Sequence, residues 1–250
     1  MNQFIIYCVG DSHASFFSGA NIIQPTWPEK SIEYYPFFRS ARIGPVLAYN
    51  LCVEGTKTLG REKLFCFLKK RIPNDRILLS FGEIDCRAHL VKQSEMQKRS
   101  IDLVVNECVD RYFSVIKEIQ SLNFELLVWN AIPSTTSSTI PDIKDPVFGT
   151  CLERNHAARL FNNYLSQLCM KSDIKFLSIF DKLVNSDGLT KMELYMDDVH
   201  LSQKAMPLIL NALKCLYPNT SFSISPYIRV KQMFLILYRR VTAKFQNILE

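Results

Sequence analysis

The chain has 250 residues, 48% hydrophobic, 12% aromatic and 22% charged, which suits a globular protein with room for one large domain. Its net charge of +6 is spread out except at Lys69-Lys70-Arg71 and toward the C-terminus; without a dense basic stripe and interleaved aromatics, no nucleic-acid partner is expected. Eight cysteines lie mostly in apolar runs, with no CxxC pair and no histidines at zinc-ligand spacing, so free thiols and no metal are expected. The opening MNQFIIYCVGDSH has no signal-peptide pattern, and with the thiols it favours a cytoplasmic setting.

Residues 4–9 (FIIYCV) form a short apolar run, read as a buried strand that ends in Gly10-Asp11-Ser12-His13. An aromatic-rich stretch follows, with Phe16, Phe17, Trp27, Tyr34, Tyr35, Phe37 and Phe38. It reads either as a cover for one sheet edge or as a substrate rim. Helices are expected around 46–52 and 62–70. Residues 76–81 (RILLSF) make a second strand, ending in Gly82-Glu83-Ile84-Asp85. Ile101, Val104, Val105, Cys108, Tyr112, Val115, Ile116 and Ile119 recur at steps of three and four, one face of a long helix. A third strand, 124–129 (FELLVW), ends in Asn130-Ala131-Ile132-Pro133. The polar loop 133–149 reads as a flap over a site or as a plain surface loop. Leu160, Phe161, Tyr164, Leu165 and Leu168 mark another helix, 174–179 (IKFLSI) a fourth strand, and Ala205 to Leu216 a last helix starting just before Pro207.

No repeat or linker interrupts residues 1–220, which are read as one domain. Residues 221–250 change character, mixing bulky apolar residues with cations. Their apolar run is too short to span a bilayer. The segment 227–245 fits a basic helix lying on an anionic membrane surface, and equally fits self-association or packing on the chain's own surface.

Apolar strands alternating with amphipathic helices make an α/β fold with a mostly parallel sheet. Such sheets bind ligands at the carboxyl ends of their strands, where Ser12 and Gly82 to Asp85 fall. A serine nucleophile needs a base, and the base needs an orienting partner. His13 is Ser12's chain neighbour; on an extended strand end the two side chains point apart. His156 reads as a solvated helix position, and His89 as either a crevice or a loop residue. His200 sits in Tyr195-Met196-Asp197-Asp198-Val199-His200. Asp197, three residues earlier, is placed to reach the imidazole, although helix capping also explains acids there.

Gly10-Asp11-Ser12, Gly44, Gly82-Glu83-Ile84-Asp85 and Asp197-x-x-His200 follow in the order of the blocks of the SGNH/GDSL hydrolases, and the chain resembles that family over residues 4 to 215. The resemblance implies a three-layer α/β/α flavodoxin-like sandwich and no cofactor. It implies Ser12 as nucleophile, His200 as base, Asp197 as its orienting acid, and esters as substrates, for hydrolysis or acyl transfer. It also implies an oxyanion hole of the Ser12 and Gly44 backbone N–H groups and a third-block asparagine. Here Ile84 stands in the asparagine's place and cannot donate. Arg87, His89 and Asn130 are candidate substitutes, and Asp11, His13, Glu83 and Asp85 complete the expected crevice. Arg87 also fits an ion pair with Glu83 or Asp85. The expected activity is hydrolysis or transfer of an acyl group on a small polar ester, an acylated carbohydrate among them. The alternative is a binding or scaffold protein on the same fold. A nucleotide-binding flavodoxin-like protein would need a glycine-rich loop after the first strand, which Asp11-Ser12-His13-Ala14 does not supply.

Overall fold

The computed structural model describes residues 4–137 and 147–222. The middle of the polar loop and the expected C-terminal extension, including 227–245, lie outside the described residues. Five strands, β1 (Ile6–Gly10), β2 (Phe38–Arg42), β3 (Arg76–Ser80), β4 (Glu125–Trp129) and β5 (Lys175–Leu177), form one sheet in the order β2-β1-β3-β4-β5. Every neighbouring pair is parallel.

Successive side chains of a strand point to opposite faces, and the two cores divide accordingly. Val9, Ile77, Leu79, Leu126 and Val128 pack against α1 (Gly60–Leu68), α2 (Leu90–Gln97), α3 (Ile101–Gln120) and α4 (Cys151–Lys171). Ile6, Cys8, Leu78, Leu127 and Leu177 pack on the other face against Phe16 and Phe17, and against Ile209 and Leu213 of α6 (Met206–Leu216). The short α5 (Phe180–Leu183) straddles the edge, with Phe180 in the first core and Leu183 in the second. Both faces are covered, which is why the strands read as continuous apolar runs. The result is a three-layer α/β/α sandwich.

The stripe from Val104 to Ile119 is buried along α3. Pro207 lies in the first turn of α6, where its missing N–H costs nothing. The expected helix around 46–52 is only a 3₁₀ turn, Ala48–Asn50. β2 (FRSAR) was not expected as a strand; it is an edge strand beside β1, with a single further bridge from Arg42 to Thr26, and it needs no apolar run. The aromatic stretch is mostly core, because Phe17, Tyr35, Phe37 and Phe38 are buried and pack edge-on or stacked on one another.

Candidate active site

β1 ends at Gly10 because a Cβ there would stand 2.1 Å from the Ser80 carbonyl oxygen. Only glycine lets β1 and β3 run this close at their carboxyl ends. The chain then turns at once. Asp11 caps a 3₁₀ helix, Ser12–Ser18, and its Oδ1 accepts the His13 backbone N–H at 2.9 Å. Ser12 and His13 therefore open a helical turn instead of continuing an extended strand. This corrects the expectation that their side chains simply point apart, since both line one pocket.

The second half of the site is a tight loop. Tyr195 and Leu201 pair across its base, and Tyr195 Oη donates to the Pro133 carbonyl at 2.7 Å. Inside the loop Asp197 Oδ1 accepts the backbone N–H groups of Val199 and His200 at 2.8 and 2.6 Å. Its Oδ2 stands 2.9 Å from His200 Nδ1. His200 Nε2 is 2.8 Å from Ser12 Oγ. An ionised carboxylate only accepts, so Nδ1 carries the imidazole hydrogen and Nε2 offers its lone pair to the Ser12 hydroxyl. Partial burial works to raise the Asp197 carboxyl, but the bond and charge of His200 and the two backbone N–H groups win and hold it at about 2. Burial lowers His200 below the usual imidazole range, against the pull of Asp197 and with help from the nearby His13.

The third block builds a buried polar layer beside this line. Gly82 turns at φ +110, and a Cβ there would strike the Phe161 ring at 2.7 Å. Glu83 is buried between two bases. Its Oε1 accepts from Arg87 Nε at 2.8 Å and its Oε2 from His13 Nε2 at 3.0 Å. Arg87 is thus the ion-pair partner of Glu83, itself buried. Burial opposes the charge on Glu83, but Arg87 and His13 hold its carboxyl well below the usual range. Asp85 is also buried; it accepts the backbone N–H groups of Ala48 and Tyr49 at 2.8 and 3.1 Å. The third-block acid therefore anchors the loop that follows Gly44, whose own φ is +111. Burial pushes Asp85 up to about 6 and Asp11 up to about 7. Ile84 is a core residue, 6% exposed.

Asn130 lies at the end of β4 beside Asp11, His13 and Glu83, and its side chain bonds to backbone. Its amide nitrogen donates to the Ala131 carbonyl and its oxygen accepts the Ile179 N–H at 3.0 Å. It is fully buried and ties the end of β4 to the segment after β5. His89 lines a separate cavity of about 290 Å³ with Tyr49, Asn50, Gln93, Arg99 and Glu107. His156 is exposed on α4. The pocket at Ser12 is walled by His13, Phe16, Trp129, Ile132, Met196 and His200, and encloses about 10 Å³.

Arg154 carries no sequence signal of its own, yet it is 1% exposed and binds Ser134 Oγ and the carbonyls of Thr135, Ser137 and Gly149. It fastens both ends of the polar loop 133–149 to α4. Ser134 and Thr135 are buried, so the described start of that loop is not a surface flap. The capping box of Thr150 and Glu153 at the start of α4 was the available signal for this helix boundary. All eight cysteines are free. Among the described residues, no group of three or more His, Cys, Asp or Glu could hold a metal, and no helix is long and apolar enough to cross a membrane.

No protein-family model and no curated protein matches the chain in sequence. Solved structures do match in shape. One from Streptococcus pneumonia, described as a candidate platelet activating factor, has a TM-score of 0.54 at 17% identity, covering 84% of this chain and 82% of the other. A candidate acylhydrolase from Bacteroides fragilis has a TM-score of 0.53 at 12% identity, covering 86% of each chain. A candidate lipolytic protein of the G-D-S-L family from Desulfitobacterium hafniense aligns at a TM-score of 0.49 and 12% identity, over 86% of this chain and 99% of the other. With the parallel sheet and helices on both of its faces, the chain shares the three-layer α/β/α fold of these solved structures, the acylhydrolase among them.

Proposed function

We propose that this chain is a serine ester hydrolase that removes a short acyl group from a small polar ester through an acyl-enzyme. Ser12 is the nucleophile, His200 the general base and Asp197 its orienting acid. The observation that carries the reading is the unbroken hydrogen-bonded line from Asp197 through His200 to Ser12 Oγ. As Oγ attacks the carbonyl carbon, its proton passes to His200 Nε2 and Asp197 stabilises the imidazolium. The proton is then handed to the departing alkoxide. Water, giving a proton to the same nitrogen, releases the acyl group as its acid. An acceptor hydroxyl in place of that water makes the reaction a transfer.

The enclosed space of about 10 Å³ beside Ser12 is close to one water in size. Phe16, Trp129, Ile132 and Met196 wall it. A space this small suits an acetyl group better than a fatty chain, and an acetylated carbohydrate is one ester of that kind. The competing reading, a binding protein on a hydrolase fold, draws its support from Ile84, which leaves the third block without its donor.

The experiment is turnover of p-nitrophenyl acetate by the wild type, Ser12→Ala and His200→Ala, beside labelling with a fluorophosphonate and circular dichroism for folding. An active wild type, with both folded variants lower by about 10⁴-fold or more, supports the hydrolase. A folded wild type that neither turns over ester nor takes label at Ser12 gives the site to the binding protein.

A further inference from the structure

Two imidazoles flank Ser12, and they are held in opposite ways. His200 presents Nε2 to Ser12 Oγ at 2.8 Å. His13, the next residue in the chain, turns Nε2 away to Glu83 at 3.0 Å. The two ring centroids are 5.0 Å apart and the rings are tilted by 34°. Both rings line the pocket that holds Ser12. His13 Nδ1 has no hydrogen-bond partner among the described residues, and it is not one of the buried polar atoms sealed from solvent. It is the ring's remaining polar atom in a pocket whose expected side-chain donor is replaced by Ile84.

The chemistry of that nitrogen follows from Glu83. Glu83 is ionised, paired on its other oxygen with Arg87, so it can only accept, and His13 Nε2 carries a hydrogen. Nδ1 bears a hydrogen only if the ring is the imidazolium; in the neutral ring Nδ1 is a bare acceptor and would repel an oxyanion. The titratable and charged groups around the ring are Asp11 on its own turn, itself pushed up by burial, Glu83 and Arg87 from the third block, and His200 with Asp197 from the loop. Burial opposes charging His13, but Asp11, Glu83 and the Glu83 bond outweigh it and Arg87, raising the imidazole above its usual range.

We propose that His13, protonated and fixed by Glu83, is a catalytic residue whose Nδ1–H donates to the substrate carbonyl oxygen as negative charge develops there. This rests on the ester-hydrolase reading of Ser12. No proton leaves His13 in the step. The Ser12 proton goes to His200, the carbonyl π pair moves to oxygen, and His13 meets the new charge with a hydrogen bond already in place. Glu83 and Arg87 are positioning residues, one fixing the ring and the other fixing Glu83.

Two substitutions separate this role from a structural one. His13→Gln can keep an N–H near Nε2 for Glu83, but it has no donor at the Nδ1 position. His13→Asn places an amide near Nδ1 and gives up Glu83. On p-nitrophenyl acetate the Gln variant is expected to lose about 10²–10³ in kcat with KM little changed. The Asn variant should stay within tenfold of wild type and lose the alkaline fall in kcat that His13 deprotonation imposes. A folded His13→Gln protein with wild-type kcat overturns the proposal. Imidazole ¹⁵N NMR reads the same point without turnover. Hydrogens on both His13 nitrogens at pH 7 are expected, and a bare Nδ1 overturns it. If Ser12→Ala leaves turnover unchanged, the hydrolase reading itself falls, while the nitrogen shifts still report the charge on His13.

Discussion

The molecule holds two carboxylate–imidazole contacts of similar length, 2.9 Å for Asp197 with His200 and 3.0 Å for Glu83 with His13. They tune their histidines in opposite directions, with His200 lowered and His13 raised. Asp197 is built locally, three residues from its partner, with a side chain 47% exposed. Glu83 is 70 residues from His13, and both side chains are about 5% exposed. A carboxylate contact alone does not set an imidazole's charge. Burial lowers His200 and His13 adds to it, against Asp197 and Glu83, whereas the burial of His13 is outweighed by Asp11 and Glu83. The surroundings decide which ring is held neutral more easily and which is held charged more easily.

That contrast predicts different failures. Asp197→Asn should lower kcat by about 10³–10⁴-fold, because the imidazole loses its fixed tautomer. Its unfolding free energy in urea should change by less than about 1 kcal/mol, since the acid is half exposed. Glu83→Gln should cost about 3–5 kcal/mol in the same titration, because Arg87 is left as an uncompensated buried charge, and should lower kcat as well, because His13 loses the carboxylate that fixes it. Equal losses of stability in the two variants would break the comparison. The smallest effect is a shift. Activity should fall as pH drops and His200 takes a proton, with a midpoint below the usual imidazole value of about 6.5. In His13→Gln that midpoint should move up, because a neighbouring cation no longer opposes the protonation of His200. A pH–rate profile of each protein reads the sign directly.

Four of the five strands, the long α3 and the start of α6 were legible because each buries a continuous run or a clear stripe. β2 was not, since an edge strand needs only Phe38 on one face and Ala41 on the other. Ser12, Asp197 and His200 were brought together by the resemblance of the ordered blocks to the SGNH/GDSL hydrolases, since the spacing of Asp197 and His200 alone also fitted helix capping. The His13–Glu83 contact was not, because it depends on the chain turning into a helix directly after Asp11. Asn130 looked available as a donor in one dimension. In three it is fully buried, with its oxygen on Ile179 N–H and one amide hydrogen on the Ala131 carbonyl, and a list of residue types does not reveal that.

Ser12 and His200 are 188 residues apart. During synthesis at roughly 5–20 residues per second, the serine is added to the chain about 10–40 s before the histidine. Throughout that interval it is an ordinary hydroxyl. On the proposed function, a nascent chain or any fragment ending before the loop at 195–201 lacks the base for Ser12 however well its first strands have formed, so the site would mature only when that loop docks.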